Sequence, residues 1–167
     1  MNTSHWMKLG KSWALTPLKL AALIVLGAVI CPLHEAHAQG ARLDFSGSWV
    51  LDKEKSDFGG TPAPESMTEV IDHREPKIVI TTITKQSSGE DRRVVRLATD
   101  GAENANEFAG HQVKTTTHWD GDKLVTVVQD QAGMQFTETR ALSANRKIQT
   151  VTLDSGMGQQ KLVMTKK

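Results

Sequence analysis

From Gly47 onward the chain runs in short stretches of alternating apolar and polar residues, each closed by a turn signal. One late stretch sets the pattern. Met134, Phe136, Glu138, Arg140 and Leu142 fall on one face, and Gln135, Thr137, Thr139 and Ala141 on the other. A period of two turns the first set toward a core. Val113, Thr115, Thr117 and Trp119 oppose Gln112, Lys114, Thr116 and His118 in the same way. Lys77 to Ile83 is apolar on both faces, so its parity stays open. Strands are expected over 47–52, 67–73, 77–85, 91–99, 103–108, 111–119, 123–129, 134–142, 147–153 and 160–166. Asp100-Gly101 and Asp120-Gly121 are strong hairpin dipeptides between them.

The connections are too short for parallel crossovers, so neighbouring strands should pair antiparallel. An all-β domain of about 8–10 strands with this turn spacing predicts a sandwich or a barrel. Closure into an up-and-down barrel removes the exposed edges of a long sheet, and a two-sheet sandwich is the alternative. Lys53 to Phe58 has room for one helical turn, ended by Gly59-Gly60. Thr61-Pro62-Ala63-Pro64 reads as a loop over the barrel end, because proline cannot donate to a central ladder. Trp49, two residues after Gly47 at the head of the first strand, is expected to plug one end of the barrel.

The first 38 residues read differently. Lys8, Lys11 and Lys19 precede an apolar run from Leu20 to Cys31; Pro32 ends it, and Ala36-His37-Ala38 is a small-x-small cleavage signal. This is the three-part pattern of a secretory signal peptide. The run is shorter than the roughly 20 residues of a comfortable membrane span, which argues against an uncleaved anchor. A lipid anchor is disfavoured because Ile30, not a small residue, precedes Cys31. The expectation is a signal peptide over 1–38, a barrel domain over 39–167, a periplasmic or secreted location, and no stable membrane span after cleavage. Cleavage removes the single cysteine, and disulfide or thiol chemistry with it.

The formal charge is +1, with 20 basic and 19 acidic side chains. That balance argues against nucleic acid as a partner, which would call for a clustered basic excess. At 5% aromatics and no tyrosine, a base-stacking platform is also disfavoured. No nucleophile–base arrangement stands out, so no catalytic residue is named, and no cofactor is implied. His73, His111 and His118 are read as surface or edge histidines rather than metal ligands, because a metal site needs three or four convergent groups. Glu138 and Arg140 are either a structural ion pair or polar groups meeting a ligand, since a buried charge must be paired in either case. Thr81-Thr82, Thr84 and Thr115 to Thr117 are either pocket lining or ordinary strand formers. Met157 and Met164 are gap-fillers or flank a barrel mouth.

The opening Phe45-Ser46-Gly47-Ser48-Trp49 resembles the lipocalin and fatty-acid-binding families, the calycin barrels, in which a Gly-X-Trp motif starts the first strand. It is most similar to the fatty-acid-binding branch, and the wider pattern resembles small exported bacterial proteins of lipocalin-like type. The resemblance implies a barrel that binds a small apolar or amphipathic ligand. It implies structural roles for Gly47 and Trp49, and a basic side chain from a late strand packed on the indole. Arg140 is the first choice for that cation and Arg146 the second. One departure stands out: a helical lid would fall near Lys53 to Glu65, where one turn fits. The expected ligand wall is Phe136, Met134, Glu138, Arg140, Val113, Thr115, Thr117, Leu124 and Ile80. Two other readings stay open: a self-filled interaction module of the cell envelope, and a barrel isomerase or cyclase with ionisable residues converging in the cavity.

Overall fold

A computed structural model describes residues 42–108 and 110–167; the expected targeting segment lies outside them. Ten strands follow one another: β1 Gly47–Leu51, β2 Ser66–Arg74, β3 Lys77–Gln86, β4 Gly89–Ala98, β5 Asp100–Phe108, β6 His111–Asp120, β7 Lys123–Asp130, β8 Gln135–Leu142, β9 Ile148–Asp154 and β10 Gln159–Lys166. Each lies within a few residues of its expected span. They form one antiparallel sheet in the order β4-β3-β2-β1-β10-β9-β8-β7-β6-β5. The first and last strands pair, Trp49 opposite Lys166, and this wraps the sheet into a nearly closed barrel.

The seam lies between β4 and β5. Asp100-Gly101 does not close a hairpin between paired strands, as its dipeptide signal predicts. The pair instead opens β5, with a register irregularity between Asp100 and Glu103. Gly101 takes a φ of 84°, and Asp100 Oδ1 accepts from Ala102 N–H at 3.0 Å. A side chain bridges the seam in place of a ladder. Asn106 Oδ1 accepts from Arg96 N–H, and Asn106 Nδ2 donates to Arg96 O, both at 2.8 Å. The carboxamide thus does for β4 what a paired backbone residue would do.

The inward faces follow the period-two reading. β6 buries Val113, Thr115 and Thr117, and in β3, where parity was open, Ile78, Ile80 and Thr82 point inward. One end of the barrel is solid. Phe45, Trp49, Ile71, Ile78, Leu97, Leu124 and Met164 pack there in one cluster. Trp49 is 0% exposed, and its Nε1–H donates to Phe45 O at 3.0 Å. The expected cation over the indole is present, but it is neither Arg140 nor Arg146: Lys166 Nζ lies 5.2 Å from the ring centroid. Register decides this, since Lys166 is the direct cross-strand partner of Trp49. Such a cation contributes about 0.5–1 kcal/mol at an exposed site. Gly47 has a φ of 136°, and a Cβ there would meet Lys166 Cε at 2.6 Å. The motif glycine therefore serves both the backbone and the lysine that covers the tryptophan.

His73 is buried at this end, not at the surface or an edge as the sequence reading has it. Its Nδ1 accepts from Phe45 N–H at 3.2 Å, which leaves Nε2 to donate to Glu75 Oε1 at 3.0 Å. Glu75 also accepts from Trp119 Nε1 at 2.9 Å and Thr99 Oγ1 at 2.5 Å. Partial burial alone would raise the Glu75 carboxyl's pKa; hydrogen bonds from Thr99, His73 and Trp119 outweigh it and hold the pKa below the ordinary value.

Candidate functional site

The opposite end is hollow. A cavity of about 280 Å³ lies under the segment that joins β1 to β2. Phe58, Thr61, Pro62 and Pro64 of that segment form its roof. The walls come from Met67 and Glu69 of β2, Thr84 and Gln86 of β3, Arg93 of β4, Phe108 of β5, Phe136, Glu138 and Arg140 of β8, Val151 and Leu153 of β9, and Gln160 and Leu162 of β10.

The roof is not helical. Lys53 to Ser56 make a turn, with Ser56 N–H donating to Lys53 O at 3.4 Å, in place of the expected helical turn. Two backbone hydrogen bonds of 2.7 Å between Asp57 and Lys161 staple the segment to β10. Ser56 Oγ adds a bond from Val163 N–H at 2.9 Å. Pro62 and Pro64 keep the rest extended without needing donors.

The polar groups inside form one network. Arg140 Nη1 donates to Glu69 Oε2 at 2.7 Å and Nη2 to Glu69 Oε1 at 3.1 Å, while Arg140 Nε donates to Glu138 Oε1 at 2.5 Å. Both side chains of the Glu69–Arg140 pair are 5% exposed. Burial alone would raise the Glu69 pKa, but the Arg140 charge, with hydrogen bonds from Arg140 and Gln149, overrides it and keeps the carboxyl ionised well below its usual range. Burial likewise opposes the charged guanidinium of Arg140, and the Glu138 and Glu69 carboxylates reverse this, pushing its pKa above the ordinary arginine value. Arg93 is held differently. Its guanidinium carbon lies 4.7 Å over the Phe108 ring, and its Nε is buried without a hydrogen-bond partner.

Phe108 and Phe136, with ring centroids 6.1 Å apart, separate this cavity from an outer apolar groove of about 480 Å³. That groove carries Val113, Val128, Met134 and Met157.

Of the residues expected in a ligand wall, Phe136, Glu138 and Arg140 line the inner cavity. Val113 and Met134 line the outer groove; Met134 precedes β8 and is 65% exposed, so it leaves the inward face to which its parity assigns it. Ile80, Leu124, Thr115 and Thr117 point inward but belong to the packed interior, which corrects their expected place in the wall. Ile80 and Leu124 sit in the aromatic-led core cluster. Thr115 Oγ1 accepts from Asn106 Nδ2 at 2.8 Å, and the hydroxyls of Thr117 and Thr126 pair at 2.9 Å. Of the two methionines, Met164 fills core and Met157, at 88% exposure, stands on the rim.

Sequence reasoning missed Glu69, Arg93, Phe58 and Phe108. Glu69 had a usable signal: it shares inward parity with Met67, Ile71 and His73, as a lone carboxylate on a mainly apolar face. Arg93 alternates with Val95 and Leu97 in the same sense. Among the described residues no group of three or more His, Cys, Asp or Glu side chains converges as a metal site, and no helix is long and apolar enough to cross a membrane.

No protein-family model matches the chain, and no curated protein matches it significantly. Solved structures do. The fluorescent protein UnaG, wild type, superposes with a TM-score of 0.57 at 21% identity, covering 74% of this chain and 97% of UnaG. A point mutant of UnaG gives the same TM-score at 20% identity, covering 74% of this chain and 96% of its own. Human cRBP IV superposes with a TM-score of 0.57 at 16% identity, covering 75% of this chain and 99% of its own. At these identities the likeness is one of fold, an antiparallel β-barrel.

Proposed function

We propose that this protein binds a small apolar or amphipathic molecule inside the barrel, beneath the segment joining β1 and β2, after export to the periplasm or the medium. One observation carries the reading. The end of the barrel opposite Trp49 holds an unfilled space of about 280 Å³, walled by Phe58, Met67, Phe108, Phe136 and Leu162, with charged side chains converging on one side. Ligand sites are concave, mostly apolar and furnished with a few placed polar groups, with volumes from about 300 Å³ upward. At about 280 Å³ the cavity falls just below that range. A longer ligand would reach past Phe108 and Phe136 into the outer groove. The fold neighbours support the architecture of such a site.

Native mass spectrometry of protein purified without denaturation, with Nile red displacement, tests the reading. A bound or exchangeable small molecule is expected; its absence in both assays refutes it. N-terminal sequencing of the exported protein is expected to begin at Gln39.

The interaction-module reading draws on the outer groove, where Met134 and Met157 are exposed. It predicts a barrel that takes up no dye. The enzymatic reading calls for converging ionisable groups, and Glu69, Arg93, Glu138 and Arg140 do line the cavity. Both carboxylates are held by Arg140, however, which suits binding better than proton transfer.

A further inference from the structure

Four hydrogen bonds converge on one carboxylate at the side of the cavity. Arg140 Nη1 and Gln149 Nε2 donate to Glu69 Oε2 at 2.7 and 3.1 Å; Arg140 Nη2 and Thr82 Oγ1 donate to Oε1 at 3.1 and 3.4 Å. The donors come from β8, β9 and β3, and the carboxylate from β2. All four side chains are buried. A guanidinium fork meeting two oxygens, flanked by an amide and a hydroxyl, is a carboxylate receptor in its own right. Its occupant here belongs to the chain itself.

Resting on the ligand-binding reading above, we propose that Glu69 is a built-in occupant that sets the specificity of the barrel: by filling the receptor in cis, it reserves the cavity for uncharged amphiphiles and turns away acids. All three nitrogens of Arg140 are engaged, the third by Glu138. The other cation on the cavity wall, Arg93, stacks on Phe108, and its one buried donor without a partner, Nε, is of a kind that an alcohol or ester oxygen satisfies without added charge. Two guanidiniums therefore face two carboxylates. An ionised acid would bring a third carboxylate against two cations, and like charges in a shared low-dielectric site repel. An alcohol or ester adds no charge. It needs only hydrogen bonds: Thr84 and Gln86 stand on the wall to donate or accept, and the Glu138 carboxylate to accept from an alcohol. Glu69 is thus a specificity-determining residue that acts by occupancy.

Displacement of Nile red by decanol and by decanoate, at mildly alkaline pH, gives the test. Wild-type protein is expected to hold decanol about tenfold tighter than decanoate or better, and Glu69→Gln to shift that ratio toward decanoate by about tenfold. Equal affinities in the wild type, or a ratio unmoved by Glu69→Gln, overturn the proposal. A wild type that takes up no Nile red sinks the ligand-binding reading itself, and the role of Glu69 goes with it. Glu69→Ala, which empties the receptor, supplies a second arm. Propionate is expected to raise its melting temperature in a concentration-dependent way, with no effect from propanol and none on wild type. If that variant refolds poorly, its soluble yield with and without propionate reads the same rescue. Failure of propionate to act on either measure counts against the proposal.

Discussion

The two ends of the barrel are built on the same alternation and reach different outcomes. At the closed end, inward positions carry Phe45, Trp49, Ile78, Leu97 and Trp119, and polar groups serve to fix aromatic rings: Glu75 holds the Trp119 N–H and the His73 ring, and Phe45 O holds Trp49. At the open end the inward positions carry Glu69, Thr84, Gln86, Arg93 and Glu138, and a cavity remains. Side-chain volume and charge account for the contrast. Rings interlock at close-packed density, whereas paired charges hold each other in fixed geometry and leave gaps they cannot fill. A hollow end rests on a solid one, because the packed cluster supplies the burial that an open mouth lacks.

That contrast can be broken by substitution. Trp49→Ala is expected to have the largest effect, costing about 3–5 kcal/mol in urea unfolding, whereas Phe136→Ala at the mouth should cost under about 2 kcal/mol. Equal costs would erase the distinction between a structural and an open end.

Arg140→Met comes next. It strands Glu69 in the interior and should cost about 3–5 kcal/mol, while the double replacement Glu69→Leu with Arg140→Met should recover most of that loss. A double variant no more stable than the single one would show that the pair does more than neutralise itself.

Asn106→Ala should cost about 1–3 kcal/mol, since it leaves Arg96 N–H and C=O without their partner across the seam. Amide exchange at Arg96 is the sharper readout, expected to speed up there and not within the β2–β3 ladder.

The smallest effect is on pH dependence. Folding lowers the pKa of Glu69 and Glu75, so as pH falls the unfolded chain takes up protons first. The stability these groups contribute is present above the unfolded glutamate value, about 4.3, and is lost as pH drops through the lower folded values. Urea midpoints measured across this window should fall toward acid, and Glu75→Gln should flatten the slope while leaving the share of Glu69. An unchanged slope would mean that the closed-end carboxylate is not linked to folding.

Much of this was legible along the chain. Strand positions followed from the period-two pattern and from turn dipeptides, because pleat and turn geometry are local. The tryptophan plug was legible because a large indole on an inward face has nowhere else to go. Three things were not. The cation over Trp49 is Lys166 and not Arg140, since the pairing of β1 with β10 joins residues at opposite ends of the chain. Asp100-Gly101 carries the residues of a hairpin turn, yet β4 and β5 do not pair: they are the two ends of the sheet, and the Asn106 carboxamide stands in for a ladder between them. The receptor around Glu69 assembles from β2, β3, β8 and β9; Glu69 and Arg140 each stand out as a charge on an inward face, but nothing within either strand shows that the two meet.

The sequence alone therefore determined where the strands lie and which residues share a face within each, because alternation is a property of each strand by itself; which face turns inward was plain in β6 and open in β3. The tertiary structure alone decided which inward residues meet and whether space is left between them. Register, closure and packing volume depend on all ten strands together, and no local stretch carries that information.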